Sequence, residues 1–376
     1  MYSLSPTDTL PIGSLPIDTQ IDAAGRWFLK SGIQEASGGV ARYYRSDLGQ
    51  NARVSTEITG YAVRTLLFLY QRTGQSPYLE AGIRAARFLT RSAWDARLGT
   101  FPFELSVDGE SAFAYFFDCG IIVRGLLSAW RATEDPEFRD AAIAAGRAML
   151  TDFAGGAGIH PILALPEKRP LEWEPRWSAS PGCYQLKSAM AWRELFEVTG
   201  ESAFLRGYES TLEAALASEG QFLPGEADQA RVMDRLHAYA YFLEGLVPVL
   251  DRPECATAFR NGVDRAGRYL REIAPVFARS DVYAQVLRVR LQGALPLGDG
   301  AHEAEQVASF QIHSSDPRVD GGFLFGRKQD EAMPFVNPVS TAFCVQALAL
   351  WHDRVANSSP QLGSKSAQLG SKYDVI

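Results

Sequence analysis

Apolar side chains between Glu57 and Tyr70 repeat with the period of an α-helix. They recur at spacings of three and four residues, at Val63, Leu66, Leu67 and Tyr70. Such spacing places them on one helix face. Ser55 supplies an acceptor for the first turn, and Gly74 allows the chain to reverse at the end. A second apolar stripe follows at once between Pro77 and Leu89. The pattern therefore predicts a helical hairpin.

The hairpin recurs along the chain, which is the signature of a repeat architecture. Equivalent positions are Gly60, Gly120, Cys183, Ala240, Ala284 and Ala342, separated by 60, 63, 57, 44 and 58 residues. Each of the first five is followed by a second, outer helix, predicted at 77–89, 136–150, 202–216, 254–270 and 301–312. The sixth has no helical partner after it. We therefore expect the N-terminal segment 17–29 to pack beside it and close a ring.

Six inner and six outer helices in alternation predict an all-α ring of helical hairpins. The arrangement resembles the (α/α)6 toroid of the six-hairpin glycosidase superfamily and its relatives among lyases and sugar epimerases. The resemblance covers roughly residues 17 to 354 and rests on architecture alone. An open solenoid of helical pairs, used as an interaction scaffold, is the alternative fold.

A local motif adds a second resemblance. The segments GGVARYY and STEITGY are similar to a GGV…Y…ETTGY line in bacterial proteins associated with cell-surface polysaccharide production. The matching residues are Gly38, Gly39, Val40, Glu57, Thr59, Gly60 and Tyr61. This resemblance implies a carbohydrate context without a defined activity.

Composition narrows the class of partner. The 376 residues are 46% hydrophobic and 22% charged, which is ordinary for a globular protein. The net charge of −7 and the lack of a basic stripe argue against nucleic acid, and no apolar run is long enough for a membrane span. The four cysteines are scattered without a Cys/His cluster, so we expect neither a metal nor another cofactor. We expect a cytoplasmic protein because residues 1–16 lack a basic and apolar leader pattern.

The predicted domain boundaries follow from the repeat. We expect an N-terminal extension at 1–16, a toroid domain at 17–356 and a disordered tail at 357–376. The tail is polar and contains QLGSK twice. The oligomeric state is left open by the sequence.

Candidate chemistry lies at the starts of the inner helices, which converge on one mouth in a ring. Acidic residues and a histidine occur there at Glu57, Asp118, Asp234, His237 and Asp281. Each acid has a structural alternative, because an Asp or Glu at a helix start often serves as a cap. A lone histidine is as readily a hydrogen-bonded core residue. Arg235 is a candidate for gripping a substrate carboxylate, with a surface position as the alternative.

Aromatic residues supply candidate sugar-binding positions. Trp173 and Trp177 flank Arg176 on a loop before the third inner helix, where they either stack on a sugar or plug the ring. The loop before the first inner helix contributes Tyr44 and Arg45. Further candidates on or before the inner helices are Tyr239, Tyr241, Tyr283 and Asn337.

The leading hypothesis is a glycoside hydrolase-like enzyme that acts on an acidic oligosaccharide or polysaccharide. Glu57 and Asp118 are its predicted carboxylate pair, because glycoside hydrolysis needs an acid and a base or nucleophile. The alternative enzyme is a uronate epimerase or polysaccharide lyase in which His237 or Tyr241 removes a proton. The alternative from another class is a non-catalytic saccharide-binding or scaffold protein for polysaccharide assembly.

Overall fold

A computed structural model of the protein describes residues 16–105, 112–156 and 158–358. Twelve α-helices lie in these ranges: α1 Ile17–Lys30, α2 Thr56–Thr73, α3 Ser76–Phe88, α4 Phe116–Thr133, α5 Pro136–Asp152, α6 Leu186–Thr199, α7 Ser202–Phe222, α8 Gln229–Leu246, α9 Pro253–Ile273, α10 Ser280–Gln292, α11 Gly300–Ser309 and α12 Pro338–Ser358. The predicted tail lies outside the described residues from position 359 onward. The predicted N-terminal extension lies outside them up to position 15.

The helices alternate between an inner and an outer layer, and the inner layer closes on itself. Helices α2, α4, α6, α8, α10 and α12 each pack against the next, and α12 packs against α2. The outer helices α3, α5, α7, α9 and α11 pack against the inner helices that precede them, and α1 packs against α12. The predicted ring with its N-terminal helix as the closing element is confirmed. The open solenoid is wrong because α12 contacts both α1 and α2.

Glycine allows the inner helices to approach closely. A Cβ atom on Gly120 would lie 2.6 Å from the Ser188 carbonyl oxygen of the neighbouring helix α6. One on Gly125 would lie 2.8 Å from the Gly60 carbonyl oxygen of α2. Real Cβ atoms do not approach backbone atoms this closely. Contact with the neighbouring helix therefore requires glycine at both positions.

Short strands mostly gather in the loops that precede the inner helices. They are β1 Val40–Ala41, β2 Tyr44–Arg45, β3 Gln50–Asn51, β4 Val54–Ser55, β5 Ala112–Tyr115, β6 Ala154–Gly155, β7 Gly158–Ile159, β8 Ile162–Leu165, β9 Arg169–Pro170, β10 Phe277–Arg279, β11 Gly326–Lys328, β12 Glu331–Ala332 and β13 Phe335–Val336. All of their pairings are antiparallel. The pairing of β13 with β2 joins the last of these loops to the first. We call the end of the ring where the inner helices begin the mouth.

Buried ion pairs occupy the inner layer further along the helices. Glu194 of α6 contacts Arg124 at 2.8 Å, Arg131 at 2.8 Å and Arg64 at 3.7 Å. Glu244 of α8 contacts Lys187 at 2.6 Å and Arg288 at 3.2 Å. We call these seven residues the ionic floor. The side chains of Lys187, Glu244 and Arg288 are wholly buried. Charges so placed are tolerated only when they are paired.

We predict that Glu194→Gln lowers the unfolding free energy by roughly 3–5 kcal/mol, because it removes the carboxylate that three buried or partly buried arginines contact. Chemical denaturation monitored by circular dichroism measures the change. The control is Glu209→Gln, which breaks the partly exposed pair with Arg252 and should cost less than about 1 kcal/mol. Equal effects of the two substitutions would contradict the importance of the ionic floor.

Candidate active site

Two carboxyl groups lie near each other at the mouth end of the inner layer. Glu57 is in the first turn of α2 and Asp118 is in the first turn of α4. Burial raises the pKa of Glu57 to about 7, while Arg42 acts in the opposite direction. Burial and the neighbouring Glu57 raise the pKa of Asp118 well above its usual range, again against Arg42. Like charges that share a buried site oppose each other's ionisation, so Glu57 hinders the loss of the proton from Asp118.

Neither acid acts as the side-chain cap of its helix. The Ser55 hydroxyl caps α2 by accepting from the Ile58 backbone N–H, and α4 begins after Tyr115 without a side-chain cap. One carboxylate oxygen of Asp118, Oδ2, is buried without a hydrogen-bond partner among the described residues. The capping interpretation of these two positions therefore has no support in the geometry.

A hydrogen-bonded chain of side chains lies beside the pair. The Tyr241 hydroxyl is 2.9 Å from His237 Nε2, and His237 Nδ1 is 2.8 Å from Gln285 Oε1. Because an amide oxygen only accepts, Nδ1 carries the proton and Nε2 accepts from Tyr241. Burial and Arg279 lower the pKa of His237, which keeps the imidazole neutral. Glu57 raises the pKa of Tyr241, second to burial, so the two side chains face each other.

Helical spacing explains why these residues meet. Glu57 and Tyr61 are four residues apart on α2, as are His237 and Tyr241 on α8. Residues at this spacing share a helix face. We call Glu57, Tyr61, Asp118, His237 and Tyr241 the axial cluster. Glu57 is half-buried and is the most exposed member of the cluster.

Aromatic rings pack around the axial cluster. The Phe117 ring lies 4.6 Å from Tyr241, and the Phe343 ring lies 5.4 Å from Tyr61. These contacts fix the orientation of both tyrosines without using their hydroxyl groups. The site thus combines polar groups with apolar ring faces, a combination that suits a sugar.

A salt-bridge network fixes the two remaining predicted acids. Arg279 donates to both carboxylate oxygens of Asp281, at 3.0 and 2.6 Å, and to Asp234 at 2.6 Å. Asp281 also lies 3.6 Å from His237 Nδ1. Arg279 and His237 lower the pKa of Asp281 against the effect of burial. Asp234 and Asp281 therefore act as ion-pair partners of Arg279 in this structure. Asp281 also lies next to His237 of the axial cluster.

The mouth carries several of the predicted sugar-binding residues. Trp177 packs edge-on against Tyr184 at 5.1 Å, and Arg176 lies beside Tyr115. Trp173 is 52% exposed. On the other side of the mouth, Arg45 pairs with Asp47 and covers Phe335. Tyr44 is buried under Arg318, and Asn337 caps α12 by accepting from the Val339 and Ser340 N–H groups.

Three predicted residues lie away from the axial cluster. Tyr239 donates to Glu219 of the outer helix α7, because it is two residues from Tyr241 and points to the opposite side of α8. Tyr283 packs against His302 and Phe310. Arg235 donates twice to the Phe222 carbonyl oxygen, at 2.9 and 2.7 Å.

Sequence reasoning missed Arg42 and Tyr61 as site residues. Arg42 acts on both carboxyl groups of the pair. It belongs to the GGVARYY motif, in which Tyr44 was predicted to be a sugar-binding residue instead. The spacing of four residues between Glu57 and Tyr61 indicated that both lie on the same helix face. Tyr61 was therefore detectable from local pattern, whereas the approach of Arg42 to the pair was not.

Cavities are also lined by described residues away from the axial cluster. One of about 540 Å³ is lined by Arg260, Arg268, Arg271 and Arg290 together with loop residues 295–299. Two of those arginines already pair with acids, Arg271 with Asp299 and Arg290 with Glu303. The axial cluster is the stronger candidate because the pKa values of its two carboxyl groups are raised. In addition, Asp118 Oδ2 has no hydrogen-bond partner among the described residues.

Comparisons with known proteins bear on the fold. No protein-family model matches the chain, and no curated protein matches it significantly. Among solved structures, it is similar to the cellobiose 2-epimerase from Spirochaeta thermophila, with a TM-score of 0.67, 14% identity and coverage of 90% of this chain and 96% of that one. The similarity shows that the chain has the (α/α)6 toroid fold.

Two further toroids show the range of named activities on this fold. A sugar epimerase from a ruminal bacterium has a TM-score of 0.66 at 12% identity, covering 89% of this chain and 97% of that one. An α-amylase from Clostridium perfringens has a TM-score of 0.62 at 12% identity, covering 91% and 100%. At identities this low, the structural similarity establishes the (α/α)6 toroid fold but not the activity. The activity has to be argued from the residues of the site.

The remaining sequence-based expectations concern membranes and metals. Within the described ranges, no helix is long and apolar enough to cross a membrane. Among the same residues, no group of three or more His, Cys, Asp or Glu side chains is placed to hold a metal ion.

We predict that Glu57→Gln stabilises the protein increasingly as pH rises from about 4.5 to about 7. A carboxyl whose folded pKa is raised binds its proton more tightly when folded, so wild-type stability falls across this window and then levels off. The gain of the variant should approach roughly 2–3 kcal/mol above pH 7.

Urea denaturation at pH 4 to 8 measures this dependence. The matched control is Glu194→Gln, because its arginines lower the pKa of Glu194 to about 2. That carboxylate is ionised in both states above its unfolded pKa, so the cost of the control substitution should stay constant from about pH 5.5 to 8. A constant difference for Glu57→Gln as well would contradict a raised pKa.

Proposed function

We propose that the protein is a carbohydrate-active enzyme that hydrolyses a glycosidic bond in an acidic saccharide. The observation that carries the proposal is the pair of neighbouring, buried carboxyl groups of Glu57 and Asp118 at the mouth of the toroid. The saccharide context is supported by the epimerase and amylase named above, which share the fold.

The two acids differ in exposure and in pKa, which suits them to different roles in the reaction. Asp118 is 5% exposed and the pKa of its carboxyl is raised well above the usual range, so it keeps its proton at neutral pH. Glu57 is more exposed and its pKa is about 7. In the proposed reaction, Asp118 donates its proton to the glycosidic oxygen as the bond to the anomeric carbon breaks. Glu57 then takes a proton from the attacking water, or attacks the anomeric carbon itself.

Cationic residues at the mouth support an acidic substrate. Arg42 and Arg176 both act on Tyr115, whose pKa is nevertheless raised by burial and by Asp118. The two guanidinium groups therefore lie near Tyr115, and both side chains are exposed. A uronate carboxylate bound between them would sit beside the scissile bond.

We predict that a uronate-containing oligosaccharide gives new anomeric signals in proton NMR in D2O, without deuterium uptake at carbon. Glu57→Gln and Asp118→Asn should each reduce the rate by about 100-fold or more, because each removes a group acting in the transition state. The rate should rise with pH through about 7 as Glu57 ionises and fall again when Asp118 loses its proton.

The control for folding is Tyr239→Phe, which alters a buried tyrosine outside the axial cluster and should keep full activity. Cleavage that survives both carboxyl substitutions would sink the assignment of the pair. The configuration of the first anomeric signal distinguishes attack by water from attack by Glu57.

A uronate epimerase or lyase is the second candidate, and one observation favours it. The Tyr241 hydroxyl donates to the neutral His237 at 2.9 Å. Tyr241 can therefore pass its proton to Nε2 while it removes a proton from the carbon next to a carboxylate. For this candidate we predict deuterium at that carbon, or new vinyl signals, in the same NMR spectra. Tyr241→Phe should abolish either signal, whereas persistence in that variant would exclude the mechanism.

A further inference from the structure

A second cavity lies among the helices α9, α10 and α11 and the strand β11. Its volume is about 310 Å³, at the lower end of the range for small-molecule sites. Its walls include Arg271 of α9, Tyr283 of α10, His302 of α11 and Arg327 of β11, none of which belongs to the axial cluster. Arg271 also lines the cavity of about 540 Å³ described above, so the two cavities adjoin.

Arg327 lines this cavity without an ion-pair partner. No carboxylate of the described residues forms an ion pair with its guanidinium, which donates to the carbonyl oxygen and the hydroxyl of Ser309. The side chain is half-buried, and burial lowers the pKa of the guanidinium while Asp330 opposes that shift. A cation removed from water in this way is stabilised when an anion shares its site.

The Tyr283 hydroxyl is a second unused donor on the cavity wall. Tyr283 is 4% exposed, and its hydroxyl forms no hydrogen bond with a described residue. Burial and the neighbouring Glu303 raise the pKa of Tyr283, so the hydroxyl keeps its proton and can donate it. A buried tyrosine hydroxyl usually has a partner, so water or a ligand is expected to supply one here.

The two donors lie against the same aromatic ring. The Tyr283 ring lies 6.3 Å from the Phe310 ring, and Arg327 Cζ lies 4.6 Å from the centre of the Phe310 ring. On the other side of Tyr283, the His302 ring lies 6.4 Å from the tyrosine ring. The donors are therefore close enough to contact one small ligand in the cavity.

The charges of the cavity wall favour an anion. Arg271, His302 and Arg327 are its basic residues, and Asp330 is the one acid among the described residues that line it. Arg271 is paired with Asp299 of the adjoining cavity, which leaves Arg327 as the cation without an ion pair. Guanidinium groups bind carboxylate and phosphate oxygens through charge-assisted hydrogen bonds.

We propose that this cavity is a binding site for a small oxyanion, the phosphate or carboxylate group of a ligand. Arg327 supplies the positive charge, Tyr283 donates a neutral hydrogen bond, and His302 borders the anion. Arg271 connects the site with the adjoining cavity, where the remainder of a larger ligand has room. The site is separate from the axial cluster and does not depend on the proposed hydrolysis.

The test follows the imidazole signals of His302 by NMR in the full-length protein, with His302→Gln used to assign them. Inorganic phosphate and D-glucuronate are titrated at constant pH and ionic strength, and at least one of them should give a saturable shift. The tighter probe distinguishes a phosphate from a carboxylate ligand. D-glucose, which is uncharged, should give no shift.

Substitutions of the two donors should weaken binding to different extents. Arg327→Gln should raise the dissociation constant by about tenfold or more, because a charge-assisted interaction is lost. Tyr283→Phe should raise it by about three- to tenfold, because one neutral hydrogen bond is lost. Tyr283→Phe alone decides the inference if Arg327→Gln does not fold.

The matched control is Arg252→Gln, which removes the same charge. The Arg252 guanidinium is already paired with Glu209, at 2.6 and 2.7 Å, and lines neither cavity. Its substitution should leave the dissociation constant unchanged.

Three results would overturn the site. They are the absence of a saturable shift with both anions, an equal shift with D-glucose, and an equal loss of affinity in Arg252→Gln. An unchanged affinity in Tyr283→Phe would remove Tyr283 from the site and overturn the inference as well. Anion binding that depends on Arg327 and Tyr283 in a protein that cleaves no oligosaccharide would support the site and reject the hydrolase.

Discussion

The toroid depends on neutralising charge inside a closed ring of helices. Glu194 and Glu244 are the carboxylates of the ionic floor, and each lies within 4 Å of two or more cationic side chains from other inner helices. A cation in such a place costs several kcal/mol unless an anion shares the burial. The floor therefore joins α2, α4, α6, α8 and α10 by ion pairs between side chains of different inner helices.

The same burial has the opposite effect at the mouth, where cations are fewer. Three arginines hold the pKa of Glu194 at about 2 in spite of its burial. Glu57 meets only the opposing influence of Arg42, and burial raises its pKa to about 7. One architecture thus produces permanently ionised carboxylates at the floor and protonatable carboxyls at the mouth. The number of neighbouring guanidinium groups decides between them.

The axial cluster extends from the mouth into the inner layer, and side-chain contacts hold its members. The Phe343 ring packs against Tyr61, and the chain from Tyr241 through His237 to Gln285 fixes one donor direction. Preorganised polar groups of this kind give up stability in the free protein and regain it when a ligand binds.

The sequence by itself determined the repeat, the helices and the mouth. Its spacing predicted α2, α3 and the register of the inner helices, and it placed Glu57 and Asp118 at equivalent helix starts. It could not decide which side of an inner helix faces the axis, because such helices are buried on both sides and carry a weak polar stripe. For this reason Tyr239 was predicted to bind substrate, although only Tyr241 reaches the axial cluster. Only the tertiary structure brought Arg42 to the acid pair and Tyr241 close to Glu57, since both depend on contacts between segments distant in sequence.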